Sequence, residues 1–178
     1  VLDSMGDRFQ LTVYDPSYRP PRWFGEGITY NIFPDRFCRD RDPVQPEGEG
    51  IAPRVLHENW DDLPVYRPDE HGEILNNDFF GGTLRGVMEK LDYLESLHVQ
   101  TIYFNPIFQA YSNHRYDTGD YKRIDPLLGS EEDFKTLCEQ AKKRGMRVVL
   151  DGVFNHTGYD RRYFNGHGRY DSLGAHQS

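Results

Sequence analysis

Cysteine is nearly absent from this chain of 178 residues, which has only Cys38 and Cys138. Two cysteines exclude a disulfide framework. They read as unpaired thiols in a non-oxidising setting, with a single long-range bridge left open. Positive charge is also short, with 21 Lys and Arg against 29 Asp and Glu and a formal net charge of −8. An acidic chain offers no cationic match to a nucleic-acid backbone or an anionic membrane surface, so neither is expected as a partner. No run approaches the ~18 apolar residues that cross a bilayer, and no basic-then-apolar signal peptide is read at the start. Cytoplasmic residence is therefore expected.

Aliphatic residues are scarce as well. The hydrophobic fraction is 37%, and on the customary count, with Gly in and Tyr out, it is roughly 40% against a typical ~45–50%. This is a thin core for a length that predicts one domain, up to one and a half. Aromatics, by contrast, are abundant, with 12 Tyr, 11 Phe and 2 Trp alongside 17 Gly and 11 Pro. A chain of this kind has much loop, and aromatic loops suit a ligand with flat faces.

Residues 2–25 hold Asp15-Pro16 and Arg19-Pro20-Pro21-Arg22, which read as a linker or arm. Gly27 to Phe33 is β-branched and aromatic and predicts a strand stopped by Pro34. From Cys38 to Phe80 the chain is charged and turn-rich without periodicity, a loop of a length that is usually functional or mobile. Thr83 then caps a helix whose stripe is Leu84, Val87, Met88, Leu91, Leu94 and Leu97. Thr101 to Phe104 is a buried-type strand ended by Asn105-Pro106. Ser130 caps a second helix with the stripe Phe134, Leu137, Cys138 and Ala141, closed by Lys142, Lys143, Arg144 and a left-handed Gly145. Met146 to Leu150 is the third strand.

Strand, helix, strand, helix, strand implies parallel pairing with crossovers. An open doubly wound sheet and a (β/α)₈ barrel both fit. No Gly-rich turn follows the first strand, which ends in Phe33-Pro34-Asp35-Arg36, and no GxxxxGK[ST] loop occurs, so nucleotide binding is disfavoured. Both architectures bind ligands at the C-terminal ends of their strands. Those ends are Phe33-Pro34-Asp35-Arg36, Asn105-Pro106-Ile107-Phe108 and Asp151 to His156, with a further cluster at 113–121. One strand-end Asp is often a turn cap and one His is often structural. Recurrence at three successive strand ends is the signal.

These residues carry a resemblance. Asp151-Gly152-Val153-Phe154-Asn155-His156 resembles the DxxxNH segment that ends the third barrel strand of glycoside hydrolase family 13, the α-amylase family. His114-Arg115-Tyr116-Asp117-Thr118-Gly119-Asp120-Tyr121, with Ile124-Asp125-Pro126 and Gly129, resembles the segment before its second helix, in the form of the neopullulanase, cyclomaltodextrinase and maltogenic amylase group. Tyr30 to Phe37 and Gly81-Gly82-Thr83-Leu84 resemble its first strand and first helix start.

The resemblance implies a (β/α)₈ TIM barrel that cleaves α-glucosidic bonds with retention, using an Asp nucleophile and a Glu acid/base ~5–5.5 Å apart. In that family the catalytic carboxylates stand at strands four, five and seven, whereas only three strands are countable here. Past His156 the only acids are Asp160 and Asp171, neither in the nucleophile pattern. No catalytic carboxylate is therefore assigned to this chain. By the same resemblance Tyr116 stacks on the sugar beside the scissile bond, His156 hydrogen-bonds a hydroxyl of that sugar, and Asp151 organises the pocket by accepting from a neighbouring Arg. Calcium is implied as a candidate ion, with no cofactor required. Asn155 resembles a ligand between barrel and inserted domain. Asp40 and Asp42 fall near a second site of the neopullulanase group, where Thr83 follows Gly81-Gly82 as a poorer ligand.

The expected organisation is 1–26 as an arm from an upstream domain, 27–156 as the first part of the barrel, and 157–178 as the start of a domain inserted after strand three. Val1 in place of Met suggests a cut N-terminus. The expected function is part of an enzyme acting on starch, cyclodextrin or pullulan-type α-glucans, inactive as this piece alone and prone to self-association through its open strand edge. The alternative is a non-catalytic amylase-like binding or chaperone subunit.

Overall fold

The computed structural model describes residues 12–48, 50–159, 161–168 and 170–178. The elements run β1 (Ile28–Ile32), β2 (Val55–Leu56), β3 (Asp78–Phe79), α1 (Leu84–Glu89), α2 (Leu91–Ser96), β4 (Val99–Phe104), β5 (Phe108–Ala110), β6 (Thr118–Ile124), α3 (Glu131–Lys143) and β7 (Arg147–Leu150). Strands β1, β4 and β7 form a parallel sheet in the order β1-β4-β7. The three predicted strands are therefore neighbours, with α1, α2 and α3 in the connections.

Side chains alternate across a strand, so the sheet has two unlike faces. Tyr30, Ile32, Ile102, Phe104, Val148 and Leu150 point one way and pack with Leu84, Val87, Leu91, Leu94, Leu137 and Ala141 from the helices. Leu84, Val87, Leu91, Leu94, Ile102, Phe104 and Leu137 are wholly buried, each contributing ~1.5–3 kcal/mol by burial. The core is thus a single layer between three strands and their helices. This fits the low aliphatic content.

The helix expected after Thr83 forms in two pieces. Thr83 caps it as predicted, its side chain accepting from the Gly86 N–H, and Lys90 interrupts it at φ −99° and ψ 4°. The Lys90 N–H bonds the Val87 carbonyl, one residue closer than an α-helix requires, while Leu94 N–H still reaches Lys90. The stripe survives the break because its spacing alternates three and four. Leu97, at its end, is exposed. At α3 the reading holds closely. Ser130 and Asp133 form a reciprocal capping box, and Gly145 is left-handed at φ 74°. Both cysteines are free.

The 38–80 stretch read as a loop is tied down by polar groups. Buried Asp35 accepts from the N–H groups of Phe80 and Gly81 at 3.0 and 3.2 Å. Buried Asp78 accepts from Val65 N–H at 3.0 Å and Asn113 Nδ2 at 3.0 Å, and lies 3.1 Å from His57 Nε2. Burial works against the Asp78 charge, yet the Val65 N–H, His57 and Arg36 outweigh it and hold its pKa below the usual value. A β-carbon on Gly86 would meet the Cys38 carbonyl at 2.1 Å, so only glycine lets α1 lie against the chain leaving β1.

Two elements fall outside the sequence reading. The short pair β2–β3 is parallel, and β5–β6 is an antiparallel hairpin with register shifts on both sides of Gln109. The sequence of β6, TGDYKRI, is too polar and too weakly alternating to announce a strand. At the hairpin's far end sits Asp125, wholly buried. It accepts from Arg54 Nη1 and Nη2 at 2.7 Å each, from Arg115 Nη2 at 3.3 Å and from Leu127 N–H at 3.1 Å. Burial alone would raise its pKa. The charge of Arg115 and the hydrogen bond and charge of Arg54 reverse this and take it to about 2.

Replacing Asp125 by Asn leaves two buried guanidinium groups without a counter-charge and is expected to cost ~3–5 kcal/mol in denaturant unfolding. The folded pKa lies below the unfolded one, so this stabilisation is complete above pH ~4 and drains away as pH falls towards ~2. An unchanged midpoint, or an acid transition that does not shift in Asp125→Asn, counts against the role.

Candidate functional site

Residues in register on a parallel sheet share a face, and the face turned away from the helices is polar. Asn31, Tyr103 and Val149 are register partners across β1, β4 and β7. Period two carries the same face on to Asn105 and Asp151 at the strand ends. Asn31 Nδ2 donates to Asn105 Oδ1 at 2.9 Å and to the Tyr103 carbonyl at 3.3 Å. Asp151 lies one residue past β7, and its N–H still bonds the Phe104 carbonyl at 3.1 Å, so the sheet continues to set its place.

Tyr116 meets Asp151 from the hairpin. Its phenol donates to Asp151 Oδ2 at 3.0 Å, joining two of the residues singled out in the sequence. Tyr103, on β4, lies close enough to the same carboxylate to feel its charge. The Tyr103 pKa is raised by burial, then by the Asp151 charge. The Tyr116 pKa is raised by burial, then by its hydrogen bond to Asp151 and the charge there. Both phenols are thus kept neutral beside a carboxylate.

A constrained turn presents Tyr116. Arg115 takes the left-handed region at φ 60°, which costs a non-glycine residue ~1–3 kcal/mol unless its surroundings enforce it. They do. Its Nη1 donates to the Asn113 carbonyl at 2.9 Å, its Nη2 reaches Asp125, and the side chain is wholly buried. The Tyr116 N–H donates to His114 Nδ1 at 3.1 Å, which puts the proton of the neutral imidazole on Nε2. Burial, with Arg115 adding to it against Asp117, lowers the His114 pKa and favours that neutral form.

His156 stands apart from this pair. It is exposed, and its tie to the hairpin runs through its backbone carbonyl, which accepts from the Tyr121 phenol at 2.9 Å. The same phenol also contacts the Val153 carbonyl. The chain beyond is fastened to the turn by Gly158 N–H on the Thr118 carbonyl at 3.3 Å and by an Arg161–Asp117 ion pair at 2.5 Å. Asp160 lies outside the described residues.

The metal candidates do not converge. Asp40 Oδ1 accepts from the Thr83 hydroxyl at 2.6 Å, and its Oδ2 faces Arg41 Nη1 at 3.5 Å. Asp42 pairs with Arg39 at 3.5 Å and is 92% exposed. Asn155 lies on the exposed segment after β7. Among the described residues, no three or more of His, Cys, Asp and Glu gather to hold an ion. Calcium takes ~6–8 oxygens. Carboxylates facing guanidinium groups and a hydroxyl donor do not fit it.

Sequence reasoning placed His114 and Tyr121 in the 113–121 cluster without a role of their own and singled out neither Tyr103 nor Arg161. Strand alternation could have found Tyr103, since it shares a face with Asn31 and Asp151 once the strands are paired. The contacts of Tyr121 and Arg161 left no local signal, because their partners are 32 to 44 residues away.

Parallel strands with helices on one face, and a polar, aromatic cluster at the C-terminal rim of the other, define a candidate ligand site on part of an α/β barrel. The chain belongs to the α-amylase family: residues 31–176 match the alpha amylase catalytic domain. It is 44% identical, over 99% of its length, to 14% of an amylopullulanase from Thermoanaerobacterium saccharolyticum. It is also 44% identical, over 80% of its length, to 21% of an intracellular maltogenic amylase from Bacillus subtilis strain 168. Among solved structures, a ligand-free cyclic α-maltosyl-(1→6)-maltose hydrolase from Arthrobacter globiformis aligns with TM-score 0.64 and 37% identity, over 81% of this chain and 29% of that one. A type III pullulan hydrolase from Thermococcus kodakarensis aligns with TM-score 0.62 and 39% identity, over 78% and 25%. The chain thus spans less than a third of each. The three strands are part of a (β/α)₈ barrel, which resolves the choice between barrel and open sheet.

Because the Asp151 charge raises both phenols, Asp151→Asn is expected to bring the Tyr103 and Tyr116 titrations down towards the ordinary tyrosine range of ~10. An ultraviolet phenolate titration reads this directly. A curve identical to the wild type would show that the carboxylate does not govern them.

Proposed function

We propose that this chain supplies the first third of the catalytic barrel of a retaining α-glucan hydrolase, and with it one side of the sugar pocket. The observation that carries the reading is the Tyr116–Asp151 hydrogen bond of 3.0 Å at the strand ends of an α-amylase-family barrel. The names of the relatives, amylopullulanase, maltogenic amylase and pullulan hydrolase, support α-glucans as the substrate class.

In this reading the Tyr116 ring, 37% exposed, lies against the C–H face of a glucose unit. Asp151 fixes the ring's azimuth through the phenol and keeps an acceptor on the pocket wall. His156 donates to a hydroxyl of the same sugar and favours the positive charge that develops at the anomeric carbon. The nucleophile and the acid/base come from later barrel strands, outside this chain. Calcium is not part of the scheme, in keeping with the engaged state of Asp40 and Asp42.

The test is hydrolysis of pullulan, cyclodextrin and soluble starch by the parent protein and by this chain alone. The parent is expected to release reducing sugar with retained anomeric configuration, and the isolated chain none. His156→Ala in the parent is expected to lower kcat by ~10²-fold, as for other losses of a single transition-state donor. Turnover by the isolated chain would place catalysis within it and overturn the assignment. A parent that binds α-glucan without cleaving it would favour a non-catalytic amylase-like subunit.

A further inference from the structure

We propose that Tyr121 is a positioning residue, one that sets where His156 stands relative to Tyr116; the inference rests on the sugar-pocket reading above. Tyr121 lies in the middle of β6. Its phenol touches the carbonyls of both Val153 and His156, with the His156 contact at 2.9 Å. Two carbonyls three residues apart reach one hydroxyl only if the chain between them curls around it. The phenol is therefore the focus of the turn that follows Asp151.

The ring cannot drift. It lies 6.0 Å from Phe108, 5.5 Å from Phe154 and 5.7 Å from Tyr163, centre to centre. Its backbone N–H donates to the Tyr163 phenol at 3.2 Å. Val153 is buried but Phe154, Asn155 and His156 are all exposed, so apolar burial alone does not place the part of the loop that carries His156. Polar ties from the hairpin do. Tyr116 stands on the same hairpin five residues earlier, and its turn is held by Arg115 on Asp125. One rigid element thus carries a sugar-stacking ring directly and a sugar-binding histidine through a phenol.

The chemistry asks for such a device. A donor that acts on developing charge must hold its place to a few tenths of an ångström, and a histidine on an unsupported loop loses that advantage. Removing the Tyr121 hydroxyl releases the carbonyls without opening a cavity, because the ring remains.

The experiment uses the full-length parent protein and a maltooligosaccharide substrate. Tyr121→Phe is expected to lower kcat about tenfold, as for one lost hydrogen bond, with KM changed less than ~2-fold and the melting temperature unmoved. In a His156→Ala background the same change is expected to alter kcat by less than ~2-fold, because the two residues act as a unit. Tyr93→Phe removes an exposed phenol on α2, on the helix side of the sheet, and is expected to leave kcat within ~2-fold. Four results overturn the inference: no loss in Tyr121→Phe, an equal loss with and without His156, an equal loss in Tyr93→Phe, or a loss that merely follows unfolding. A wild-type parent with no α-glucan hydrolysis overturns the pocket reading as well. An active parent with any of those four results overturns this inference alone.

Discussion

The Asp125 carboxylate is the knot from which the rest of the rim hangs. Four groups meet on it: Arg54, 71 residues away in the stretch after β1, and, from nearer in the chain, Arg115 of the hairpin turn, the Ala110 end of β5 and the Leu127 N–H that leads to α3. In a medium that strips water from charge, a lone carboxylate would be forced to take a proton. Two guanidinium groups prevent that, and they stack on Phe79 at 4.5 and 5.4 Å. A buried ion cluster adds little net stability over an apolar one. Its strength is that few other arrangements satisfy it. The left-handed Arg115 is tolerated for this reason, and Tyr116 follows from Arg115.

The molecule divides its work between two kinds of contact. Below the strand ends, aliphatic side chains from one face of β1, β4 and β7 pack on three helices, and non-directional burial is sufficient. Above them the loops bury a few apolar side chains, Phe79, Phe80 and Leu128 among them, but they also bury carboxylates. Asp35, Asp78 and Asp125 there accept directional bonds from backbone and side chains and give each loop one conformation. A site that recognises hydroxyl groups needs such a rim, because its polar side chains must be held by something other than the hydrophobic effect.

How the family's motifs act is clearer in this light. The carboxylate at the end of the third strand accepts from the hairpin's Tyr116 phenol and raises the pKa of the Tyr103 phenol on the neighbouring strand. Stretches such as the one running from His114 to Tyr121 pack several structural duties into one run of sequence. His114 receives the Tyr116 N–H, Arg115 anchors the turn, Asp117 holds Arg161, and Tyr121 holds the His156 carbonyl.

Much of this was legible in the residues themselves. The stripe from Leu84 to Leu94, the Ser130 capping box, the Gly145 stop and the three strand segments depend on contacts a few residues apart, so spacing alone reports them. The split at Lys90 was not legible, since a stripe of threes and fours reads the same through a break. Nor was the β5–β6 hairpin, whose polar strands are stabilised by each other and by Asp125. Candidate site residues were legible by motif and strand end, and Tyr116 does meet Asp151. The sequence by itself determined the helix-facing core, the capped helices, the acidic surface and the family. Only the tertiary structure decided that Tyr103 joins Asp151, that Tyr121 holds the His156 turn, and that Asp40 and Asp42 answer hydroxyl and guanidinium groups. Those outcomes rest on contacts between groups distant in the chain, and such a contact leaves no period or cap in the sequence to reveal it.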